Sequence, residues 1–315
     1  MSLLILHHPD CAGHAPSAGH PERPERLGAA MRGLEQLAGT DFRQAREVSQ
    51  EDILRVHPED YWARILASEP GPGEAAVSLD PDTRIASGSL RAVRLAAGAA
   101  CQGIDALLAG THRRAFCATR PPGHHAEAGR SMGFCVLNNI AIAARHALAH
   151  PEIQRVAVVD FDVHHGNGTQ AIFETDERVI FASSHQSPLY PGTGRTDEHG
   201  QGNIFNAELA PGTGGEAFRA AWEEVLLPEI DQARPDLMLV SAGFDAHRLD
   251  PLAQLELETE DFAWIGRRLT ELADHHCRGR LLAVLEGGYS LEALESGCEA
   301  FGKELAAGTK PQALE

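Results

Sequence analysis

One apolar run that ends in charged side chains constrains the fold of this 315-residue chain more than any other feature. Residues 156–159 read VAVV, and the next residues read DFDVHH, so Asp160, Asp162 and His164 stand at alternate positions. An extended chain points alternate side chains to one face. Burying these carboxylates is costly unless their charge is compensated, and carboxylates with an imidazole suit zinc. The alternative is a hydrogen-bonded His/Asp cluster in the core.

Apolar runs alternate with helical patterns along the whole chain. Strands are predicted over Leu3–Leu6, Ala115–Thr119, Val156–Phe161, Val179–Ser183, Leu237–Ser241 and Leu281–Leu285. Helices are predicted over Arg23–Ala38, Gly88–Ala109, Asn139–Ala149, Gly215–Ala233, Thr259–His276 and Leu291–Leu305. This alternation favours a parallel sheet with helices on both faces. No linker or repeat divides the sequence, so we expect one domain over residues 1–315, with a long functional loop at Gln186–Gly202.

Charge and cysteine usage exclude several classes of protein. The formal net charge of −18 argues against a nucleic-acid-binding surface. The six cysteines form no CxxC pair and indicate reduced thiols in a cytoplasmic protein. No apolar run approaches the length that spans a membrane, and the N-terminal SLLILHH predicts a first strand rather than a signal peptide. The sequence therefore predicts a cytoplasmic protein with no nucleic-acid or membrane partner.

Three further predicted strands end in turns that carry reactive side chains. One strand is followed by RPPGHHAE with His124 and His125, another by AGFDAH with Asp245, and a third by EGGY with Tyr289. Parallel strands present their carboxyl ends at one edge of the sheet, where ligands bind. Together the four turns supply metal ligands, a general base and a phenolic donor. That set is typical of metal-assisted amide hydrolysis.

These motifs identify a family resemblance that covers nearly the whole chain. The matching motifs, in order, are HPERPERL (20–27), RPPGHHAE (120–127), GFCVLNNIAIAA (133–144), VDFDVHHGNGTQ (159–170), LYPGTG (189–194), SAGFDAH (241–247) and EGGY (286–289). With them the chain resembles the metal-dependent histone deacetylase-type amidohydrolases, of the bacterial class II-like kind. The resemblance implies the arginase/deacetylase fold, a three-layer α/β sandwich with a central, mostly parallel sheet of about eight strands. It also implies zinc-dependent hydrolysis of N-acetyl-lysine, with iron(II) as the alternative metal.

The resemblance assigns roles to the reacting groups. The implied zinc ligands are Asp162, His164 and Asp245. His125 corresponds to the histidine that takes a proton from water and passes it to the leaving amine, while His124 stabilises charge. Tyr289 corresponds to the residue whose hydroxyl polarises the acyl carbonyl.

Two residues are implied to stand behind the histidine pair. Asp160 matches the carboxylate behind His124, and Asn167 stands where one branch of the family has a carboxylate behind His125. An amide does not stabilise an imidazolium as a carboxylate does. We therefore expect His125 to be the less basic of the pair and to act as a neutral base at pH 7.

The resemblance also implies a substrate channel. Gly133, Phe134 and Tyr190 match walls around the acyl-lysine stem, and Arg26 matches a residue of the acetate-release cavity. Leu252 stands where members selective for acetylated polyamines carry a glutamate. Leucine offers an ammonium group no partner, so we predict acetyl-lysine peptides or proteins as substrates rather than acetylpolyamines. The alternative is that Leu252 only packs under its loop.

Two monovalent-cation sites are implied as well, both for potassium. The first would use backbone oxygens of Asp160, Asp162, His164, Ser183 and Ser184. The second would use Phe173, Asp176, Val179 and Phe205. The sequence leaves a homo-oligomer open.

Two other functions compete with this interpretation. An arginase-like dimanganese ureohydrolase shares the fold, but it needs further aspartates to bridge a second metal, and the His124-His125 pair stands in the corresponding place. A non-catalytic acyl-lysine-binding module would be indicated by loss of Tyr289 or of a metal ligand, and none is lost.

Overall fold

Eight parallel strands form the central sheet of the protein. The structure, a computed structural model, describes residues 2–15 and 17–307. The sheet strands are β1 (Leu3–His7), β2 (Thr40–Gln44), β5 (Arg114–Ala118), β6 (Val156–Asp160), β7 (Val179–Gln186), β8 (Ile204–Leu209), β9 (Leu237–Ala242) and β10 (Leu281–Leu285). Their order is β2-β1-β5-β10-β9-β6-β7-β8. Two short strands, β3 (Val77–Ser78) and β4 (Arg84–Ile85), pair antiparallel outside this sheet.

Helices cover both faces of the sheet. They are α1 (Glu25–Glu35), α2 (Gln50–Leu54), α3 (Glu59–Ser68), α4 (Ser89–Leu108), α5 (Asn139–Leu148), α6 (Asn167–Phe173), α7 (Gly215–Ala221), α8 (Leu227–Ala233), α9 (Thr259–His276) and α10 (Leu291–Ala307), with a 3₁₀ turn at Pro9–Gly13. In β1, Leu4 and Leu6 join a core cluster with α4 and α5. Leu3 and Ile5 join the opposite cluster, with α9 and α10. The predicted three-layer α/β fold with a parallel sheet is confirmed.

The central strands agree best with the sequence pattern. Strands β5, β6, β9 and β10 are buried along their whole length, because helices cover both faces, and their sequences are correspondingly apolar. The pattern missed the two edge strands, β2 and β8, whose sequences TDFRQ and IFNAEL are largely polar or mixed. The helix predicted over Gly215–Ala233 is interrupted by a π-helical turn at Trp222–Leu226.

The strand order brings the functional turns together. Strands β5, β10, β9 and β6 are adjacent in the sheet and run in the same direction. The turns that follow them therefore meet at one edge. All six cysteines lie in the described part of the chain, are buried and form no disulfide. Over residues 2–15 and 17–307, no helix has the length and apolar character needed to cross a bilayer.

Candidate metal centre and catalytic site

Three donor groups converge beyond the ends of β6 and β9. The Nδ1 atom of His164 lies 3.1 Å from Oδ1 of Asp162 and 3.2 Å from Oδ2 of Asp245. All three side chains are buried. Ligand atoms around a tetrahedral zinc ion stand about 3.4 Å apart, and zinc takes carboxylate oxygens and imidazole nitrogens. The donor set and its spacing thus fit one divalent cation.

Backbone amides hold both carboxylates of this centre in place. The amide of Gly287 donates to Oδ2 of Asp162 at 2.8 Å, and the amide of Val163 donates to Oδ1 of Asp245 at 2.9 Å. Each carboxylate keeps its other oxygen towards His164. The three donors are therefore preorganised by the turns that carry them.

The sequence pattern attributes the alternation of side chains after β6 to an extended strand, but the structure shows a different cause. Strand β6 ends at Asp160 rather than continuing to Phe161. Beyond it, Oδ1 of Asp160 accepts the amide of Asp162 at 3.1 Å, and Oδ1 of Asp162 accepts the amide of His164 at 2.9 Å. Successive Asx turns, and not sheet pairing, set the direction of these side chains.

Two glycines make room for the carboxylates. A Cβ atom at Gly243 would lie 2.1 Å from Oδ2 of Asp162, and one at Gly287 would lie 1.9 Å from Oδ2 of Asp245. Any side chain at either position would displace a carboxylate of the centre. The glycines of SAGFDAH and EGGY are thus required by close approach, beyond their role in turning the chain.

The two histidines after β5 lie side by side next to the metal centre. Their ring centroids are 4.0 Å apart, and the ring of His125 lies 5.9 Å from that of His164. The Nδ1 atom of His124 is 2.9 Å from Oδ2 of Asp160. The Nδ1 atom of His125 is 2.8 Å from Oδ1 of Asn167. Both partners therefore stand where the resemblance implied.

Different partners give the two imidazoles opposite charge states. Burial disfavours protonation of His124, but the charges of Asp160 and Asp162 outweigh it and raise its pKa to about 10. Burial, and then the charge of His124, lower the pKa of His125 well below its usual value. Protonation is therefore favoured at His124 and disfavoured at His125.

A buried glutamate that the sequence analysis missed supports this turn. The Oε2 atom of Glu286 accepts the backbone amides of Gly123 at 2.6 Å and of His124 at 3.1 Å. Glu286 lies at the end of β10 and begins the same segment that carries Tyr289. One carboxylate therefore links the histidine turn to the tyrosine turn.

The tyrosine turn is held from both sides. Arg26 donates to the carbonyl oxygens of Gly288 and Glu286, and its guanidinium carbon lies 5.0 Å from the centroid of the Tyr289 ring. The Oδ2 atom of Asp250 accepts the amide of Tyr289 at 2.7 Å. Burial, and then the charge of Asp245, raise the pKa of Tyr289 well above its usual value. The phenol therefore keeps its proton and can donate it to a hydrogen bond.

The guanidinium of Arg26 makes three hydrogen bonds, one from each of its nitrogens. Besides the two carbonyl oxygens, its guanidinium donates to Oε1 of Glu22 at 3.1 Å. Glu22 also accepts two hydrogen bonds from Arg120. The contacts of Arg26 are those of a support behind the Tyr289 turn.

The predicted channel residues surround the histidine pair and the tyrosine. The ring of Tyr190 lies edge-on to His125 at 5.2 Å, and the ring of Phe134 lies edge-on to Tyr289 at 6.0 Å. Gly133 has φ +58°, and a Cβ there would lie 2.2 Å from the ring of His125. Glycine is thus the residue this position accepts.

The turn at Phe134 is supported by the segment between β3 and β4. Phe134 adopts φ +66°, which is unfavourable for a bulky side chain. The amide of Gly133 donates to Oδ1 of Asp82 at 3.0 Å, and that of Phe134 donates to Oγ1 of Thr83 at 3.1 Å. These two residues lacked a sequence signal, because each hairpin strand is only two residues long.

The carboxylate of Asp250 binds both the Leu252 loop and the tyrosine turn. The amide of Leu252 donates to Oδ1 of Asp250 at 3.0 Å, and the other oxygen of that carboxylate holds Tyr289. The side chain of Leu252 is half-buried. The structure thus places Leu252 on the loop that follows Asp245, with its amide bonded to the carboxylate that also binds the amide of Tyr289.

The two predicted cation positions differ. Asp160 on β6 pairs with Ser183 on β7, so residues of the first position lie on neighbouring strands. At the second position, Nδ2 of Asn203 lies 2.8 Å from the carbonyl oxygen of Phe173, 3.2 Å from that of Asp176 and 2.8 Å from that of Val179. The carbonyl oxygens of three of the predicted residues therefore converge on one point.

Comparison with known proteins supports the same chemistry. The family described as the histone deacetylase domain matches residues 20–305. The histone deacetylase-like amidohydrolase of Pseudomonas aeruginosa is 41% identical over 288 residues, which are 90% of this chain and 74% of that protein. The polyamine deacetylase HDAC10 of Mus musculus is 39% identical over 296 residues, which are 87% of this chain and 43% of that protein. The crystal structure of the HDA15 HD domain has a TM-score of 0.91 at 33% identity, covering 99% of this chain and 92% of the other.

Proposed function

This chain belongs to the histone deacetylase family of deacetylases and amidohydrolases, and we propose that it hydrolyses N-acetyl-lysine in peptides or proteins with zinc at its metal centre. The observation that carries the proposal is the convergence of five side chains at one buried edge of the sheet. They are Asp162, His164, Asp245, His125 and Tyr289. A binding module would need neither the neutral base nor the phenol.

The residues around the metal centre have different roles in the proposed amide hydrolysis. A divalent cation on the three ligands would supply Lewis acidity to water and to the acyl carbonyl. His125 is neutral and buried, so it can take the proton of the attacking water and later give it to the leaving amine. Tyr289 donates a hydrogen bond to the oxygen on which negative charge develops. The products are acetate and the free amine.

The channel residues favour a long aliphatic stem. Tyr190 packs edge-on against His125, and Phe134 packs edge-on against Tyr289. An acyl-lysine stem between such rings buries its methylene groups while the peptide stays outside. Turnover of acyl-lysine peptides and acetylpolyamines by the zinc-loaded protein tests the proposal.

Metal content and activity should fall together when one ligand is changed. We expect one divalent ion per chain, and we expect Asp245→Asn to lower both the bound metal and kcat, because an amide is a weaker ligand than a carboxylate. Elemental analysis and turnover on one preparation measure both. Asp197→Asn, at an exposed surface position, is the matched control. Two tightly bound manganese ions with urea release from arginine would favour the ureohydrolase instead.

The residue at position 252 should control substrate choice. Wild-type protein is expected to have a higher kcat/KM for acetyl-lysine peptides than for N-acetylputrescine or N-acetylspermidine, since Leu252 offers no partner to a second ammonium. Leu252→Glu should shift this ratio towards the polyamines by about fivefold, the effect of a partly exposed ion pair of about 1 kcal/mol. Leu252→Gln keeps the shape without the charge and should not shift it. Wild-type preference for the acetylpolyamines would contradict the assignment.

The remaining expectations form part of the same proposal. We propose that the protein acts in the cytoplasm on acetylated peptides or proteins. We also propose that potassium binds at the first predicted position, near Asp160 and Ser183. The support for that position is the pairing of Asp160, the last residue of β6, with Ser183 on β7.

A further inference from the structure

A chain of three polar side chains leads away from the catalytic base. The Nδ1 atom of His125 is 2.8 Å from Oδ1 of Asn167, and Nδ2 of Asn167 donates to Oε1 of Glu127 at 3.1 Å. His125 and Asn167 are buried, and Glu127 is half-buried beside an open cavity that Tyr190 also lines. The family roles assigned above leave Glu127 without a function.

The hydrogen-bond donors and acceptors of these three side chains can be arranged in only one way. An ionised carboxylate only accepts hydrogen bonds, so Glu127 must face the amino group of Asn167. The amide oxygen of Asn167 then faces His125, and an oxygen can only accept. The proton of the neutral imidazole must therefore sit on Nδ1, which leaves the lone pair of Nε2 free for catalysis.

We propose that Glu127 is a positioning residue that selects the reactive tautomer of His125 by fixing the orientation of the Asn167 amide. This inference rests on the function proposed above. Without Glu127, Asn167 can turn over and present its amino group to Nδ1. The imidazole would then carry its proton on Nε2 and could not accept one from water.

The other contacts of Asn167 do not fix its orientation. Its Nδ2 atom lies 3.4 Å from the carbonyl oxygen of His125 and 3.3 Å from Sδ of Met132. The first distance is long for a hydrogen bond, and a thioether is a weak acceptor. The contact with Glu127 is the charge-assisted one, and such bonds are roughly twice as strong as neutral ones.

The amide of Asn167 lies between Glu127 and His125, so Glu127 can fix the orientation of the imidazole without contacting it. Asp160 contacts His124 directly, and a carboxylate in direct contact favours the charged imidazole. At His125 the carboxylate stands one residue further away, so it orders the ring without lying against it. The pair thereby keeps one charged and one neutral member.

Kinetics of the zinc-loaded full chain test the proposal first. Glu127→Ala should lower kcat on an acetyl-lysine peptide by about 10- to 100-fold, as is typical when a supporting partner is lost, with KM and zinc content unchanged. The variant should fold, because the amide of Glu127 bonds the carbonyl oxygen of Arg130 at 3.0 Å independently of the side chain. Glu152→Ala, at an exposed glutamate before β6, is the control and should keep wild-type kinetics.

A second substitution separates positioning from packing. Asn167→Asp in the Glu127→Ala background should restore much of the lost kcat on the alkaline side of the pH profile, because aspartate accepts with either oxygen and needs no orienting partner. Its direct contact raises the pKa of His125, so the acidic limb of the profile should move to higher pH. In the wild-type background the same substitution places two carboxylates in contact and should lower kcat. We therefore expect Asn167→Asp to raise kcat in the Glu127→Ala background and to lower it in the wild-type background. Absence of rescue would overturn the proposal.

The tautomer itself can be observed without turnover. Nitrogen-15 NMR of histidine-labelled, zinc-loaded protein should show His125 protonated on Nδ1 in the wild type and at least partly on Nε2 in Glu127→Ala. His125→Ala assigns the signal. This measurement does not depend on acetyl-lysine being the substrate. It can therefore show the tautomer proposal to be wrong independently of the proposed function. Protonation on Nδ1 in both proteins would contradict the proposal.

Discussion

Replacing His125 by alanine is expected to lower kcat on acetyl-lysine peptides by about 10²–10⁴, the usual contribution of a general acid–base group. His125 lies next to the metal ligands and favours the neutral form, because burial and the charge of His124 lower its pKa. It is the one member of the pair that can accept a proton. Turnover at saturating substrate and full metal occupancy measures the loss.

The matched control is the same substitution at the neighbouring histidine. His124 is charged through its contact with Asp160 and supplies only electrostatic help. We therefore expect His124→Ala to lose less activity than His125→Ala. The pH profiles should differ too, with the His125 variant losing the acidic limb, on which wild-type activity falls as the base becomes protonated. Equal retention of activity in both variants would overturn the division of roles.

Removal of the tyrosine hydroxyl is expected to lower kcat by about 10²–10³, the typical cost of one oxyanion donor. The raised pKa of Tyr289 keeps its hydroxyl protonated, and Arg26 and Asp250 fix the turn that carries it. Tyr289→Phe should therefore retain zinc and bind a hydroxamate chelator nearly as well as the wild type. Turnover, metal analysis and inhibitor titration measure the three properties.

Tyr61→Phe controls for the loss of a buried hydroxyl elsewhere. The hydroxyl of Tyr61 donates to the carbonyl oxygen of Val136 at 2.5 Å. Its loss should cost about 1 kcal/mol of stability and leave kcat unchanged. If Tyr289→Phe also leaves kcat unchanged, Tyr289 is a packing residue and the proposed oxyanion donor is wrong.

The central strands could be predicted because burial dictates their composition. Strands buried on both faces, such as β6 with its VAVV run, are largely apolar. The edge strands β2 and β8 are less buried, and their polar positions resemble loops. Their pairing is visible only once the neighbouring strand is in place, as for β2 against β1.

The site could be located from the sequence because parallel strands end at one edge. This rule brings Asp162, His164, Asp245, His125 and Tyr289 together from the sequence alone. Their supports could not be found in that way.

Asp250, Glu286 and Asp82 act through backbone amides far along the chain, as when Glu286 accepts the amide of Gly123. Such contacts depend on the path of loops and leave no local pattern. The partnership of Glu127 with Asn167 likewise joins residues 40 positions apart.

The most direct test of the account is a product analysis on the zinc-loaded protein. Incubation with an acetyl-lysine peptide should release acetate and free lysine side chain in equal amounts, and Asp245→Asn and Tyr289→Phe should each abolish most of the release. Tight binding of the peptide by the wild type without any acetate would contradict the enzyme mechanism. It would instead identify the site as an acyl-lysine-binding module.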